Sequence, residues 1–158
     1  MEDNIQKIYG LIGYSLLAFY HYNHKDNNSQ LILYGYAALA LVFIPWYLNS
    51  EIKHKTKTQI ENDEQIENNE QIENYLEKIG HSLISAYYAT KLMDKVDLHG
   101  VLGLIGNLLI LSKFKKQATI ILIGYYILSI IHSHANIGST SLILFYYYTL
   151  GNYESKVN

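Results

Sequence analysis

Residues 31–48 read LILYGYAALALVFIPWYL, eighteen positions without a charge, inside a charge-free window that runs from Asn27 to Ser50. A hydrocarbon core of about 30 Å takes roughly 20 helical residues at about 1.5 Å each, so this stretch has the length and composition of a transmembrane helix. Pro45 near its end predicts a kink, and Trp46 and Tyr47 beside it match the aromatic belt of a membrane boundary.

Further apolar blocks lie on both sides. Ile8 to about Tyr22 precedes it, bounded by Lys7 and Lys25. The start, MEDNIQK, is acidic and polar, unlike the positively charged lead of a cleaved signal, so this first block reads as a retained anchor. Downstream come Ile79 to Met93, His99 to Ser112, and an uncharged run at 117–153 that divides at HANIG into 118–133 and 139–151. Lys78 and Lys91 leave only twelve charge-free residues in the Ile79 block. It crosses only if both lysines snorkel, and otherwise lies at the interface.

The expected fold is therefore all-α: a multi-pass helical integral membrane protein of about six short spans, arranged as three helical hairpins. Residues 1–50 form the first hairpin, 51–75 a polar low-complexity linker, 76–153 two further hairpins and 154–158 a polar tail. The linker carries the tandem repeat QIENDE, QIENNE, QIEN. Six residues turn a helix by about 600°, so Ile60, Ile66 and Ile72 share no face and no coiled-coil seam is predicted.

The hairpins resemble one another. Shifting the chain by 111 positions sets Leu11–Leu39 on Leu122–Leu150 with 11 of 29 pairs identical, LIGY on LIGY and His21 on His132. A shift of 67 sets IGYSLLAFY on IGHSLISAY, with Gly13 on Gly80. An internal repeat of parallel hairpins is expected from this, with compositional bias as the competing explanation. Counting lysines on alternate sides of six spans puts nine on one side (Lys7, Lys53, Lys55, Lys57, Lys78, Lys113, Lys115, Lys116 and Lys156) and three on the other (Lys25, Lys91 and Lys95). Both termini and the 51–75 linker are thereby expected on the cytosol-equivalent side.

Composition closes several routes. The chain has no Cys, so thiolate metal sites, disulfides and cysteine nucleophiles are out. All twelve basic residues are Lys and the net charge is −2, which argues against a nucleic-acid partner. No Asp or Glu falls inside a proposed span, and GxSxG, HExxH and TVGYG are all missing.

Two groups of residues remain. Gly100, Gly103 and Asn107 lie within about 60° on a helical wheel and are read as a helix-packing face, small residues letting helices approach in lipid. The topology gathers His21, His24, His99, His132 and His134 on the lysine-poor side, with Asp26, Asp94 and Asp97 nearby. Imidazole with carboxylate suits Zn, Cu or Fe; the bland explanation is that amphipathic rings collect at membrane boundaries.

The leading functional expectation is a non-enzymatic structural or accessory component of a larger membrane assembly, virion or organellar. Its partners are the lipid bilayer and other membrane subunits or itself, and it needs no cofactor. The alternative is a metal- or haem-binding redox or transport protein that uses the histidine cluster.

Overall fold

The computed structural model describes residues 2–26, 28–53, 62–112, 114–132 and 135–155. Among these the chain is all helix: α1 (Glu2–Asn23), α2 (Ser29–Leu41), α3 (Ile44–Lys53), α4 (Asn62–Asp94), α5 (Leu98–Ile110), α6 (Lys115–Ile131) and α7 (Asn136–Ser155). The seven segments make six rods, because α2 and α3 are one rod broken at Val42–Phe43. Pro45 has no N–H to return to Leu41, so the chain tightens there: the Phe43 amide reaches back three residues to Ala40 O at 3.2 Å before helix resumes.

The rods close into a ring. α1 packs on α2, α2 on α4, α4 on α5, α5 on α6, α6 on α7, and α7 returns to α1. Short connections force neighbours to run antiparallel, so the first helices of the pairs α1–α2, α4–α5 and α6–α7 all point one way. The turns before α2 and α7 each place a residue in the left-handed region, Asn28 (φ 68°) and Ala135 (φ 46°). The third pair turns differently: Asp97 caps α5, its Oδ1 accepting from Gly100 N at 2.6 Å.

Glycines set how closely the rods approach. At the α2–α4 seam a methyl on Gly80 meets Gly35 O at 2.9 Å and Leu39 Cγ at 2.6 Å. At the α7–α1 seam a methyl on Gly13 meets Gly138 O at 3.2 Å and Leu142 Cγ at 2.6 Å. The two seams share one design: a glycine and the leucine four residues on (Gly35 and Leu39; Gly138 and Leu142) seat on a glycine of the next pair. At the α5–α6 seam the close contact lies elsewhere, with Leu122 over Gly106, while Gly124 meets only Leu102 at 3.9 Å.

These contacts revise the ungapped self-alignment. Gly13 and Gly80 do take matching places, as the 67-residue shift has it. Gly35 matches Gly138 through an offset of 103 rather than 111. The α6–α7 hairpin is eight residues shorter around its tip than α1–α2, about one turn lost from each limb.

Two further expectations change. The 51–75 stretch is not linker throughout: α4 begins at Asn62 and carries residues 62–75 as helix. Glu, Gln and Ile tolerate helix well, and the missing seam appears as exposure, with Ile72 and Tyr75 facing out. The number of spans is the second. By length and composition one helix among the described residues is able to cross a membrane, Ser29–Leu48, taken through the break; Leu98–Ile110 is apolar but has only 13 residues. Six full-length spans are not supported on that criterion: α6 has only 17 residues, and α1, α4 and α7 interrupt their apolar runs with polar or charged residues.

Those polar residues face inward. Tyr36, Tyr88, Asn107, Thr119 and Ser139 are among the most deeply buried side chains. Outward face Ile5, Ile8, Ile12, Leu16 and Phe19 of α1, Ile105 and Leu108 of α5, and Ile120, Ile127 and Ile131 of α6.

The seams generate a paired prediction. Gly80→Ala drives a methyl against the Gly35 carbonyl and costs about 1–3 kcal/mol through overpacking. Gly124→Ala, which meets only an ordinary contact with Leu102 at 3.9 Å, gains up to about 1 kcal/mol of helix propensity. Thermal unfolding of the purified chain should move in opposite directions for the two variants.

Candidate functional site

Cavities open at both ends of the ring. At the lysine-poor end one of about 270 Å³ adjoins another of about 280 Å³ lined by Asp26, Tyr87, Lys91, Asp94 and Lys95 among others, and the first reaches the interior. Its mouth is built from the tip of the first hairpin, Tyr20, His21, His24, Lys25 and Asp26, and from Lys91 near the end of α4. Its floor is Tyr88, Tyr125, Ser129 and Leu17. The opposite cavity, about 220 Å³, is walled by Gln6, Tyr14, Glu77, His81, Tyr146 and Thr149 among others. Between them Ile32, Tyr36, Leu122 and Leu142 are at most 1% exposed, so the described residues form a packed layer there.

That layer is bonded through hydroxyls. Tyr125 sits at its centre, with its hydroxyl against that of Tyr36 at 3.2 Å and against that of Tyr88. Tyr14 and Tyr146 form a second pair at 2.6 Å, and Tyr126 stacks on Tyr146 with centroids 5.9 Å apart. A tyrosine ring suits such a place because it fills apolar volume while its hydroxyl is both donor and acceptor. Among the described residues no buried side-chain nitrogen or oxygen lacks a partner.

The bond pattern fixes two histidine tautomers. The Ser129 hydroxyl donates to Tyr125 O at 3.1 Å, so toward His99 it accepts, and His99 Nε2 carries the proton of that 2.7 Å bond. The Asn107 amide nitrogen donates to Gly103 O at 2.7 Å, leaving its Oδ1 to accept from His81 Nδ1 at 2.7 Å. His81 is thus a buried partner of Asn107 on α5.

Four of the five predicted histidines come to the lysine-poor end, and His134 lies outside the described residues. They do not converge. His24 Nδ1 donates to Tyr20 O at 3.0 Å and His132 Nδ1 to Leu128 O at 2.8 Å, each closing the last turn of its own helix. His24 stacks on Tyr20, His21 on Tyr36 and His99 on Tyr125. The His99 and His132 rings stand 6.2 Å apart, and among the described residues no three His, Asp or Glu side chains surround a point a metal ion could take. Asp26, placed near the histidines by the sequence, accepts instead from the Tyr87 hydroxyl at 2.8 Å.

The predicted packing residues all lie on the inner side of α5. A methyl on Gly103 would come within 2.7 Å of the Tyr88 ring, and one on Gly100 within 3.0 Å of Leu92. Asn107 is both packing residue and hydrogen-bond hub. The sequence reading missed Gly106, which lies against Leu122, and the tyrosine layer. The signal for the layer was present: Tyr14 and Tyr125 directly follow Gly13 and Gly124, as His81 follows Gly80.

At the other end Lys115 and Glu77 approach to 3.8 Å, half- and one-third exposed, a pairing worth about 0–1 kcal/mol. The chain matches no protein-family model, no curated protein and no solved structure.

Asn107→Leu leaves the His81 donor buried without an acceptor, and Tyr125→Phe removes the hydroxyl that Tyr88 meets. Each is expected to cost about 1–3 kcal/mol. Ser112→Ala, at an exposed hydroxyl, is expected to cost well under that, and equilibrium unfolding of the three variants tests the ordering.

Proposed function

We propose that the chain is a multi-pass helical membrane protein serving as a non-catalytic component of a membrane assembly, its six rods held in lipid as a closed ring. The observation that carries this is the inverted distribution of polarity. Hydroxyls, Asn107 and His81 are buried, while isoleucine, leucine and phenylalanine cover the outside of the middle of the ring. In water this arrangement loses on both sides, leaving apolar surface exposed at roughly 25 cal/mol per Å² and spending buried volume on polar groups. In lipid it is favourable, because outward side chains meet hydrocarbon and inward hydroxyls hold the helices together at about 0.6 kcal/mol each.

The charges support the same placement. Lys7, Glu77, Lys78 and Lys115 lie toward one end, Lys25, Asp26, Lys91 and Asp94 toward the other, with no charge between them on any rod. The belt is thin. On α4 it spans residues 79–90, about 18 Å of helix. The exposed Lys78 and Lys91 extend it by reaching outward along their stems, Lys91 Nζ lying over the Tyr87 ring at 5.7 Å. A thinner-than-average bilayer, or local thinning around the ring, accommodates the rest. The matched glycine seams at Gly13 and Gly80 favour descent of the hairpins from one duplicated unit. The interior polar groups bond to one another, which suits a packing role.

The absence of cysteine makes the test clean. Single cysteines placed at Ile12, Ile105 and Ile120 in sealed vesicles should resist a membrane-impermeant maleimide. Cysteines at Asn23 and Lys95 should label from one side, and those at Glu70 and Lys116 only from the other. Equal labelling of belt and end positions, or recovery of the whole chain as a monodisperse particle without detergent, would end the membrane reading.

A further inference from the structure

We propose that the cavity at the lysine-rich end binds a small neutral aromatic alcohol, a phenol-type ring whose hydroxyl donates to His81 Nε2. This concerns the cavity alone and holds whether or not the six rods sit in lipid.

Three observations carry it. The first is an acceptor without a partner. His81 is 3% exposed and its Nδ1 proton goes to Asn107 Oδ1 at 2.7 Å, so Nε2 keeps a lone pair. That is the imidazole's one hydrogen bond. No fully buried side-chain nitrogen among the described residues lacks a partner, so Nε2 is not sealed inside the protein, and the surface it keeps belongs to the cavity whose wall His81 forms. The acceptor therefore opens into that space. The other deeply buried polar groups of the wall, the Tyr14 and Tyr146 hydroxyls, meet each other at 2.6 Å. Gln6 is likewise spent on Thr149, at 2.7 Å.

The second is charge. The wall holds Lys7, Lys115 and Glu77, and Glu73 stands near Lys7. Lys115 approaches Glu77 to 3.8 Å, and Lys7 Nζ lies over the Trp46 ring at 5.7 Å. Charges of both signs at the rim select neither a cation nor an anion. The acceptor does select: a carboxylate or phosphate oxygen brings no proton to Nε2, whereas a hydroxyl does.

The third is the apolar wall. Leu39, Val42, Phe43, Ile110 and Phe145 make up most of it. Phe43 and Phe145 meet edge to face with centroids 5.6 Å apart, a packing that another ring extends. An ammonium donor would lose its hydration against these side chains, a cost that an uncharged ring does not carry. About 220 Å³ is the space of roughly seven waters at about 30 Å³ each, room for a single substituted ring.

The full-length chain in neutral detergent, with isotope-labelled histidine, is titrated with phenol, and with anisole, its methyl ether, as the comparison that lacks the donor. Saturable phenol binding is expected, at least about fivefold tighter than anisole, because a site that keeps an unpaired buried acceptor rejects the analogue that cannot donate to it. In the unaltered chain the His81 Nε2 resonance should move upfield with phenol and stay in place with anisole, a readout independent of how variants fold. His81→Phe should bring the two ligands to equal affinity, while His24→Gln at the other end leaves the preference unchanged. An aryl hydroxyl reaches this end from water or on a lipid-soluble tail. Displacement of phenol by a long-chain alkylphenol dosed into the detergent assigns the site to a lipid-borne ring; retention of phenol assigns it to a soluble one, and either supports the proposal. It is overturned if phenol does not saturate, if anisole binds as tightly, if Nε2 does not respond to phenol, or if His81→Phe keeps the preference; water is then what the acceptor meets.

Discussion

The closest constraint in this molecule is backbone against backbone at two seams. Where α4 crosses α2 and α1 crosses α7, one helix presents a glycine to the carbonyl of another, and no side chain larger than hydrogen fits without pushing the rods apart. Closure of the ring depends on it. A six-membered ring has no free end to absorb a misfit, so a separation at one seam must be taken up by the others. The small residues are the condition for the shared interior.

That interior is then filled by side chains that serve two needs at once. Six rods around one axis leave a volume too wide for leucine alone, and tyrosine spans it while carrying a group that another tyrosine can bond. Each hydroxyl needs a partner, because an unpaired buried polar group costs about 1–3 kcal/mol. The Tyr36, Tyr88 and Tyr125 cluster, the Tyr14 and Tyr146 pair and the His81 and Asn107 pair are the three local solutions. The repeated glycine-then-polar step, Gly13–Tyr14, Gly80–His81 and Gly124–Tyr125, supplies one first-helix member of each.

How far the sequence led follows from which forces are local. Most helix positions were legible because charge-free runs mark them, and Pro45 marked the break, but the charged first half of α4, from Asn62, carries no such mark. The antiparallel order followed from short connections, and with it the gathering of four histidines at one end. What did not follow was inward or outward orientation. Tyrosine, serine and isoleucine share these helices without a simple amphipathic stripe, and the tyrosines that face inward cannot be told from those that face outward by spacing alone. Gly106 was missed for a related reason: its neighbour Leu122 belongs to another helix, and no spacing within residues 98–112 reveals it. The histidines illustrate the same limit, since proximity at one end is a matter of topology, while convergence depends on ring orientations that helix-end bonds to Tyr20 O and Leu128 O decide.

The lysine-poor cavity can be traced to a difference in length between two hairpins. The α6–α7 hairpin is about a turn shorter on each limb than α1–α2, and its tip therefore stops below that of the first hairpin. The longer tip overhangs the gap with Tyr20, His21, His24, Lys25 and Asp26, while the shorter one contributes Ser129, Ala135 and Ser139 as a lower wall. Three equal hairpins would bring three equal tips together. An eight-residue difference in one of them opens a recess, places the first hairpin's charges over it, and exposes the edge of the tyrosine layer as its floor.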